Sequence, residues 1–362
     1  MACENGQLQD VSGIVPHLGC APMRITAVTC VKNEGPFLLE WIAFNRVVGV
    51  TDFLFYSNDC TDGTDLLLDA LSERGIVCHL PNPAKGRNYQ MEALKDAPKQ
   101  PVVQKADWVW VADVDEFINI HIGRGTLPEL IEACDTPDAI SVMFQFFANC
   151  DVEEFRDEPV IGQFLKSHNP DLWCDQTAQE VKTLFRTGFP AQYWGAHRPF
   201  LKKGLKKGER PDWRDGSGRG VPFKFKIAAN KRRIRKFPAA GARKFATLNH
   251  YALRSLDSYL VKNDRGDVNR ENRNFDDSYW RMRNDDGYFD DSILRYMPRL
   301  QAELTKLKSD QTIADLHDLC VKRHRETLVR LMQDADYVAL RNRLRGSSKL
   351  SPPELDVIKA MS

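Results

Sequence analysis

Short apolar runs alternate with amphipathic segments along the first third of the chain. We predict strands over residues 24–31, 51–57, 76–80 and 108–112, since each is rich in β-branched or aromatic residues and is bounded by polar ones. The segments between them have helical spacing; the first begins at Pro36 and ends at Gly49. Strands that alternate with helices predict an α/β fold, with a mostly parallel sheet flanked by helices on both faces.

Polar residues follow each of the predicted strands. The first strand is followed by Asn33 and Glu34, the second by the loop 58–64, the third by Lys85 and Arg87, and the fourth by the Asp113-Val114-Asp115 motif. Ligands of parallel α/β sheets bind at the carboxyl ends of the strands. The sequence therefore predicts one binding site that these loops form together.

Asp113 and Asp115 are the candidate metal ligands. Two carboxylates at positions i and i+2, directly after a buried strand, can reach one point as the chain leaves the sheet. Carboxylate oxygens suit Mg²⁺ or Mn²⁺, and such an ion neutralises a departing diphosphate. The motif alone leaves two alternatives open. One is a phosphatase or nucleotidyltransferase that uses the same aspartates, and the other is a non-catalytic module that binds an anionic partner.

The order of the motifs is more specific than any one of them. The sequence contains Cys30-Val31-Lys32-Asn33-Glu34, the loop 56–64, Asp113-Val114-Asp115-Glu116-Phe117, Asn249-His250-Tyr251 and Lys262-Asn263-Asp264-Arg265-Gly266. Over residues 24 to 267 it resembles the family 2 type of glycosyltransferases with a GT-A fold. The subgroup that it resembles includes bacterial family 2-like enzymes and the family 92 glycosyltransferases.

This resemblance implies a function and a set of site residues. It implies metal-dependent transfer of a sugar from a nucleoside diphosphate sugar, with a UDP-sugar as the expected donor, to a hydroxyl of a glycan or glycolipid. Synthesis of bacterial surface polysaccharide or glycolipid is the expected setting. Mn²⁺ or Mg²⁺ would be held by Asp113, Asp115 and His250. The donor would be bound by Asn33, Glu34, Asp59, Asp62, Lys85, Arg87 and Asp113.

The general base is the point at which the sequence departs from the usual family 2 pattern. That pattern has a Glu-Asp pair after the metal motif, and the sequence contains no unambiguous counterpart. Asp151, Glu153 and Glu154 follow the predicted strand 139–147, where the acceptor is expected to enter. Asp175 and Glu180 are rivals further along the chain. We expect inversion of configuration, with the base among these carboxylates.

A basic segment lies between residues 198 and 244. It contains 17 Lys or Arg and three Asp or Glu, an excess of about 14 positive charges. It is either a solvated insertion or a patch for an anionic partner, such as an acidic glycan, a lipid-linked acceptor or an acidic membrane surface. Its few aromatic residues match no nucleic-acid module, so we do not expect nucleic acid as the partner.

The remaining features set the domain boundaries and the expected compartment. We predict a loose leader over residues 1–22, a GT-A domain over 23–270 and a mainly helical extension over 271–362. An apolar stripe from Ile313 to Met332 has helical spacing within that extension. The chain has nine Cys without metal-ligand spacing and no membrane-spanning apolar run. We therefore expect a cytoplasmic protein, with membrane contact only at the inner surface.

Overall fold

The computed structural model describes residues 23–86, 88–170, 180–227, 241–266, 277–350 and 352–361. The strands are β1 (Ile25–Val31), β2 (Asp52–Ser57), β3 (Cys78–Pro81), β4 (Trp108–Val111), β5 (Glu116–Ile120), β6 (Ala139–Phe146), β7 (Lys166–Ser167), β8 (Val181–Arg186), β9 (Ala191–Trp194), β10 (Pro199–Leu201), β11 (Trp213–Asp215), β12 (Ala246–His250) and β13 (Tyr288–Phe289). The predicted leader lies outside the described residues.

The helices of the first half alternate with the strands, and those of the second half follow the sheet. They are α1 (Gly35–Val47), α2 (Thr64–Glu73), α3 (Tyr89–Asp96), α4 (Pro101–Gln104), α5 (Leu127–Ala133), α6 (Val160–Gln163), α7 (Phe223–Lys226), α8 (Leu256–Arg265), α9 (Asp277–Arg281), α10 (Met297–Lys308), α11 (Gln311–Leu331), α12 (Ala335–Leu344) and α13 (Pro352–Met361). None of the helices described is long and apolar enough to cross a membrane.

The central sheet has the strand order β3-β2-β1-β4-β8-β6-β12-β5, and β11 pairs with β6. Strands β1 to β4 run parallel, β8 and β5 run antiparallel to their neighbours, and β6 and β12 pair in parallel. The predicted fold class, an α/β fold with a mostly parallel sheet, is confirmed. The antiparallel direction of β5 and β8 was not predicted, because short apolar runs carry no sign of direction.

The core lies on both faces of the sheet. Alternate residues of β1 serve the two faces: Ile25 and Ala27 join the cluster that packs against α1, while Val28 and Cys30 join the cluster on the opposite face. Helix α1 is buried nearly all round, since it lies between the sheet and helices α10 and α11. The C-terminal helices therefore cover the sheet directly.

Candidate functional site

A cavity of about 250 Å³ opens at the carboxyl ends of β1, β4 and β12. The wall of the cavity contains three basic side chains and five carboxylates. Its charged lining consists of Lys262, Arg265, Arg283, Glu34, Asp113, Asp115, Glu116 and Glu180, with His197 and His250 beside them. The predicted site therefore has a physical counterpart at the predicted edge of the sheet.

Asp113 follows directly after β4 and is held by two donors. The Lys182 ammonium lies 2.8 Å from its Oδ2, and the Gln90 amide donates to its Oδ1 at 3.3 Å. Lys182 belongs to β8, which runs antiparallel to β4, so its first residues lie beside the end of β4. The side chain of Lys182 has no solvent exposure and also lies 3.1 Å from Glu116. Burial by itself lowers the pKa of the Lys182 ammonium. The negative charges of Asp113 and Glu116 outweigh this effect, so the pKa of Lys182 is raised.

Asp115 is nearly buried and lies between two basic groups. Its Oδ2 is 2.7 Å from the Lys262 ammonium, and its Oδ1 is 3.4 Å from Nε2 of His250. Its backbone carbonyl accepts the N–H of Tyr251, which fixes the motif against the end of β12. Although burial opposes ionisation, Lys262 and His250 hold the pKa of Asp115 well below its usual value. Asp115 is therefore an anion.

The strand register brings His250 to the metal motif. In the antiparallel pair β12–β5, His250 lies opposite Glu116. One ligand atom each of Asp115, Glu116 and His250 lies within 4.8 Å of the others. Burial lowers the pKa of His250, which keeps the imidazole neutral, and its Nδ1 has no hydrogen-bond partner within the described residues.

This donor set fits a divalent ion, since two carboxylates and a neutral imidazole suit Mn²⁺ and also bind Mg²⁺. The structure thus brings together Asp115 and His250 of the predicted ligands. Glu116 rather than Asp113 completes this group of closely spaced ligand atoms.

The second half of the chain supplies the basic wall. Lys262 and Arg265 come from α8, and Arg283 lies just past α9 with its guanidinium 3.8 Å from the ring centroid of Tyr279. Arg265 also donates to the backbone carbonyls of Lys32 and Asn33, in the loop after β1. The end of α8 is thereby fixed to the loop that we predict to bind the donor.

The carboxylate of Glu34, which we predicted to bind the donor, is engaged by two arginines of the protein. Its two oxygens accept from Arg254 at 2.8 Å and from Arg265 at 2.5 Å, and it is buried. Burial raises its pKa, but Arg265 and Arg254 outweigh this and lower it. Glu34 lines the cavity, and its carboxylate positions Arg265.

The loops after β1 and β2 are joined to each other. Asn33 accepts from the N–H of Thr61 at 2.8 Å and donates to its hydroxyl at 3.0 Å. Asp62 accepts from the N–H groups of Gly35 and Thr64, which begin α1 and α2. These contacts give Asn33 and Asp62 a role in shaping the predicted donor pocket. Their predicted contact with a donor stays a prediction.

The other predicted donor residues are Asp59, Lys85 and Arg87. Asp59, with φ at 46°, and Lys85 are exposed to solvent. Arg87 lies outside the described residues. Neither Asp59 nor Lys85 is among the residues that line the cavity. Their predicted roles remain untested.

The candidate bases are separated by the fold. The carboxylate of Asp151 accepts from Ser348, and that of Glu153 lies 2.7 Å from Arg345, so both face the C-terminal helices and neither lines the cavity. Asp175 lies outside the described residues. Glu180 lines the cavity, 3.7 Å from Nε2 of His197. Glu180 is the candidate that the structure brings to the metal motif.

Several residues of the site were missed in the sequence, among them Lys182 and Arg283. Lys182 lies in an otherwise ordinary β-strand, although a lone lysine in the apolar-aromatic run 181–185 was a signal of a buried ion pair. Arg283 follows a segment rich in Asp and Asn and has no motif around it. Only the folded chain brings it to the cavity.

Part of the chain is similar to a known protein family. Residues 26–194 match the model of Glycosyltransferase family 92. The match confirms the resemblance that the motifs indicate for this part of the chain. A family 92 protein of Ricinus communis is 25% identical over 111 residues, which are 29% of this chain and 19% of that protein. The matched region thus spans about a fifth of the length of this relative.

Solved structures of two bacterial proteins resemble parts of the chain. TarS of S. aureus, residues 1–349 in complex with UDP-GlcNAc, is 15% identical, with a TM-score of 0.27 and 46% of each chain covered. HddC from Yersinia pseudotuberculosis is 12% identical, with a TM-score of 0.28, over 50% of this chain and 85% of that one.

Proposed function

We propose that this chain transfers a sugar from a nucleoside diphosphate sugar to a hydroxyl of a glycan or glycolipid, and that UDP-sugars are its donors. The observation that carries the proposal is the cavity itself. It combines the anionic Asp115 with the basic groups of Lys262, Arg265 and Arg283 at the carboxyl edge of the sheet. The match to Glycosyltransferase family 92 over residues 26–194 supports the same class of reaction.

The basic wall of the cavity has the charge that is needed to bind the donor diphosphate. Arg265 is held by Glu34 and by the loop after β1, so its guanidinium is positioned before any ligand binds. Preorganised cations stabilise charge that develops on a leaving group, because they need no rearrangement during the reaction. We assign Arg265 and Arg283 to the diphosphate, and the loop of Asn33 to the nucleoside.

Asp115, Glu116 and His250 would hold the divalent ion, with Asp113 beside them. When bound, Mn²⁺ or Mg²⁺ supplies neutralising charge for the departing diphosphate. The support is the spacing of the three ligand atoms, which lie within 4.8 Å of one another. Lys262 occupies one oxygen of Asp115 and leaves the other facing His250.

Glu180 is the base that we propose for an inverting reaction. Its carboxylate accepts the proton of the acceptor hydroxyl, the acceptor oxygen bonds to the anomeric carbon, and the bond from that carbon to the diphosphate breaks. The support for Glu180 is its place in the cavity wall beside His197. Asp151 and Glu153 are engaged elsewhere, with Ser348 and Arg345.

We propose the cytoplasm as the site of the reaction, on the ground of cysteine content. The cysteines among the described residues are free thiols at positions 30, 60, 78, 134, 150 and 320. Structural disulfides are rare in the reducing cytosol, so free thiols fit that compartment. Fractionation of cells that produce the native protein tests this location.

A thermal-shift screen of nucleotide sugars tests the function. A ligand that binds the folded state raises the melting temperature, by mass action. We expect UDP-sugars with Mn²⁺ to raise it and the same sugars with a chelator to raise it less. Release of free UDP from the best donor, with and without glycan acceptors, then measures turnover. If no nucleotide sugar shifts the melting temperature and none is turned over, the proposal is wrong.

A further inference from the structure

A basic, partly apolar surface lies next to the hairpin that forms one wall of the cavity. We name it the basic patch and define it as Lys202, Lys203, Lys206, Lys207, Arg210 and Lys224, all exposed. Among residues 202–210 and 222–227, Glu209 is the only acid. The carboxylate of Glu209 accepts the N–H of Lys206. The patch is therefore strongly positive.

Two contacts hold the two parts of the basic patch together. The guanidinium of Arg210 lies 4.6 Å from the ring centroid of Phe223, and Lys226 donates to the carbonyl of Pro211 at 3.3 Å. The loop 202–210 and helix α7 therefore form one surface.

Apolar side chains project from the same surface. Phe223 is 48% exposed and Ile227 is 54% exposed, whereas Phe225 between them is buried. Residues four apart in a helical turn lie side by side, so Phe223 and Ile227 form one small apolar face among the lysines.

The patch is close to the cavity. Ala196 and His197 line the cavity in the turn between β9 and β10, and Lys202 follows His197 by five residues. Five residues span at most ~18 Å when fully extended. A partner that binds to the patch is therefore close enough to present an acceptor group to the cavity.

We propose that the basic patch docks on the surface of an anionic lipid bilayer, with Phe223 and Ile227 entering the interface. Charge complementarity favours an anionic partner, and each basic residue near such a surface is worth ~1 kcal/mol. An acidic glycan would pair with the lysines but would gain nothing from an exposed Ile227. A bilayer interface accepts both the charges and the apolar face. The inference rests on the proposed function in one respect, since it makes a membrane glycolipid the acceptor.

Cosedimentation of the full chain with vesicles tests the docking. The vesicles contain phosphatidylcholine alone or phosphatidylcholine mixed with phosphatidylglycerol. We expect binding to the mixed vesicles and little to the neutral ones. The patch variant carries Lys202→Glu, Lys203→Glu, Lys206→Glu and Lys207→Glu. It should bind the mixed vesicles at least ~10-fold more weakly, given the contribution of each basic residue.

A matched control separates the patch from net charge. It carries four exposed lysines reversed elsewhere: Lys99→Glu, Lys105→Glu, Lys306→Glu and Lys322→Glu. It should bind the mixed vesicles several-fold more tightly than the patch variant. A third variant, Phe223→Ser with Ile227→Ser, keeps the charges and should bind more weakly than wild type at raised salt, where the apolar contribution remains.

Three results would overturn the docking. One is equal vesicle binding by the patch variant and the control, and another is wild-type binding that does not depend on phosphatidylglycerol. The third is binding to soluble heparin but not to vesicles, which would indicate an acidic glycan instead. Calorimetry with UDP on the same proteins keeps the two proposals distinct. If wild type binds vesicles but no UDP, the docking stands and the proposed function fails.

Discussion

The ammonium nitrogen of Lys182 lies 2.8 Å from Oδ2 of Asp113, at a position with no solvent exposure. The same nitrogen lies 3.1 Å from Glu116, whose carboxylate also accepts the backbone N–H of Asp113. The three residues form a closed set of contacts around the first turn of the metal motif. The position of Asp115 therefore depends on a buried lysine that belongs to a different part of the chain.

Lys182→Met should destabilise the fold and reduce donor binding. Removal of one partner leaves the buried Glu116 without its compensating charge, which costs about 3–5 kcal/mol. Chemical denaturation measures this loss. The double variant Lys182→Met with Glu116→Gln should recover most of the stability. Its donor affinity should stay low, because Asp113 is still not held and Glu116, a proposed metal ligand, is lost. Wild-type donor affinity in the double variant would contradict the proposed roles of both residues in the site.

Glu180→Gln should lower turnover without weakening the donor complex. General base catalysis contributes typically ~10²–10⁴-fold, so we expect a loss of kcat in that range and an unchanged affinity for UDP. Asp151→Asn and Glu153→Gln are the controls, because their carboxylates face the C-terminal residues Ser348 and Arg345. If Asp151→Asn, Glu153→Gln or Asp175→Asn removes kcat and Glu180→Gln does not, the base lies elsewhere.

His250→Ala should weaken catalysis more than folding. The imidazole packs on the rings of Phe144 and Phe146, at centroid distances of 4.9 and 5.2 Å, so its removal costs some packing. The larger effect of His250→Ala should be on metal binding: the variant should need a higher Mn²⁺ concentration for half-maximal activity. His250→Phe fills the space and is the matched control. If His250→Phe keeps the wild-type dependence on Mn²⁺, the imidazole is not a ligand.

His324 should make the fold sensitive to acid. It is buried between Phe37 and Phe155, and burial lowers its pKa from 6.5 to about 3. Between these values the unfolded chain binds a proton that the folded chain does not, so stability falls as pH falls. The contribution is about 1.4 kcal/mol per pH unit below about 6. Denaturation of wild type and His324→Gln at pH 7 and pH 5 measures it. Equal losses of stability in both proteins would refute this assignment.

The central strands and the metal motif were predictable because their signals are local. Trp108 to Val111 forms an apolar run that ends at charged residues, and period and composition suffice for such a strand. The helix that follows β3, α3, begins at Tyr89, since Asn88 has a left-handed backbone conformation. The apolar stripe from Ile313 became α11, which packs on α1, α2 and α8.

The rest of the site depends on contacts between distant parts of the chain. Nothing around Glu34 in the sequence indicates that Arg254 and Arg265 occupy its carboxylate, since they lie 220 and 231 residues away. The partner of Asp113 likewise lies 69 residues away, on a strand whose direction the sequence does not reveal. Local patterns predicted which residues are polar and where strands end. They could not predict which charges pair.

The most direct test of the central claim is calorimetric binding of UDP in the presence of Mn²⁺. Asp115→Asn removes the anion that lies between Lys262 and His250 while keeping the size of the side chain. Asp318→Asn, at an exposed position of α11 outside the cavity wall, is the control. We predict that wild type and Asp318→Asn bind UDP with Mn²⁺ and lose at least ~10-fold in affinity with a chelator, since a metal bridge to phosphate is worth more than one tenfold step of about 1.4 kcal/mol. We predict that Asp115→Asn binds UDP weakly under both conditions. Equal, Mn²⁺-dependent affinity in wild type and Asp115→Asn would contradict the assignment of this cavity as the nucleotide-sugar site.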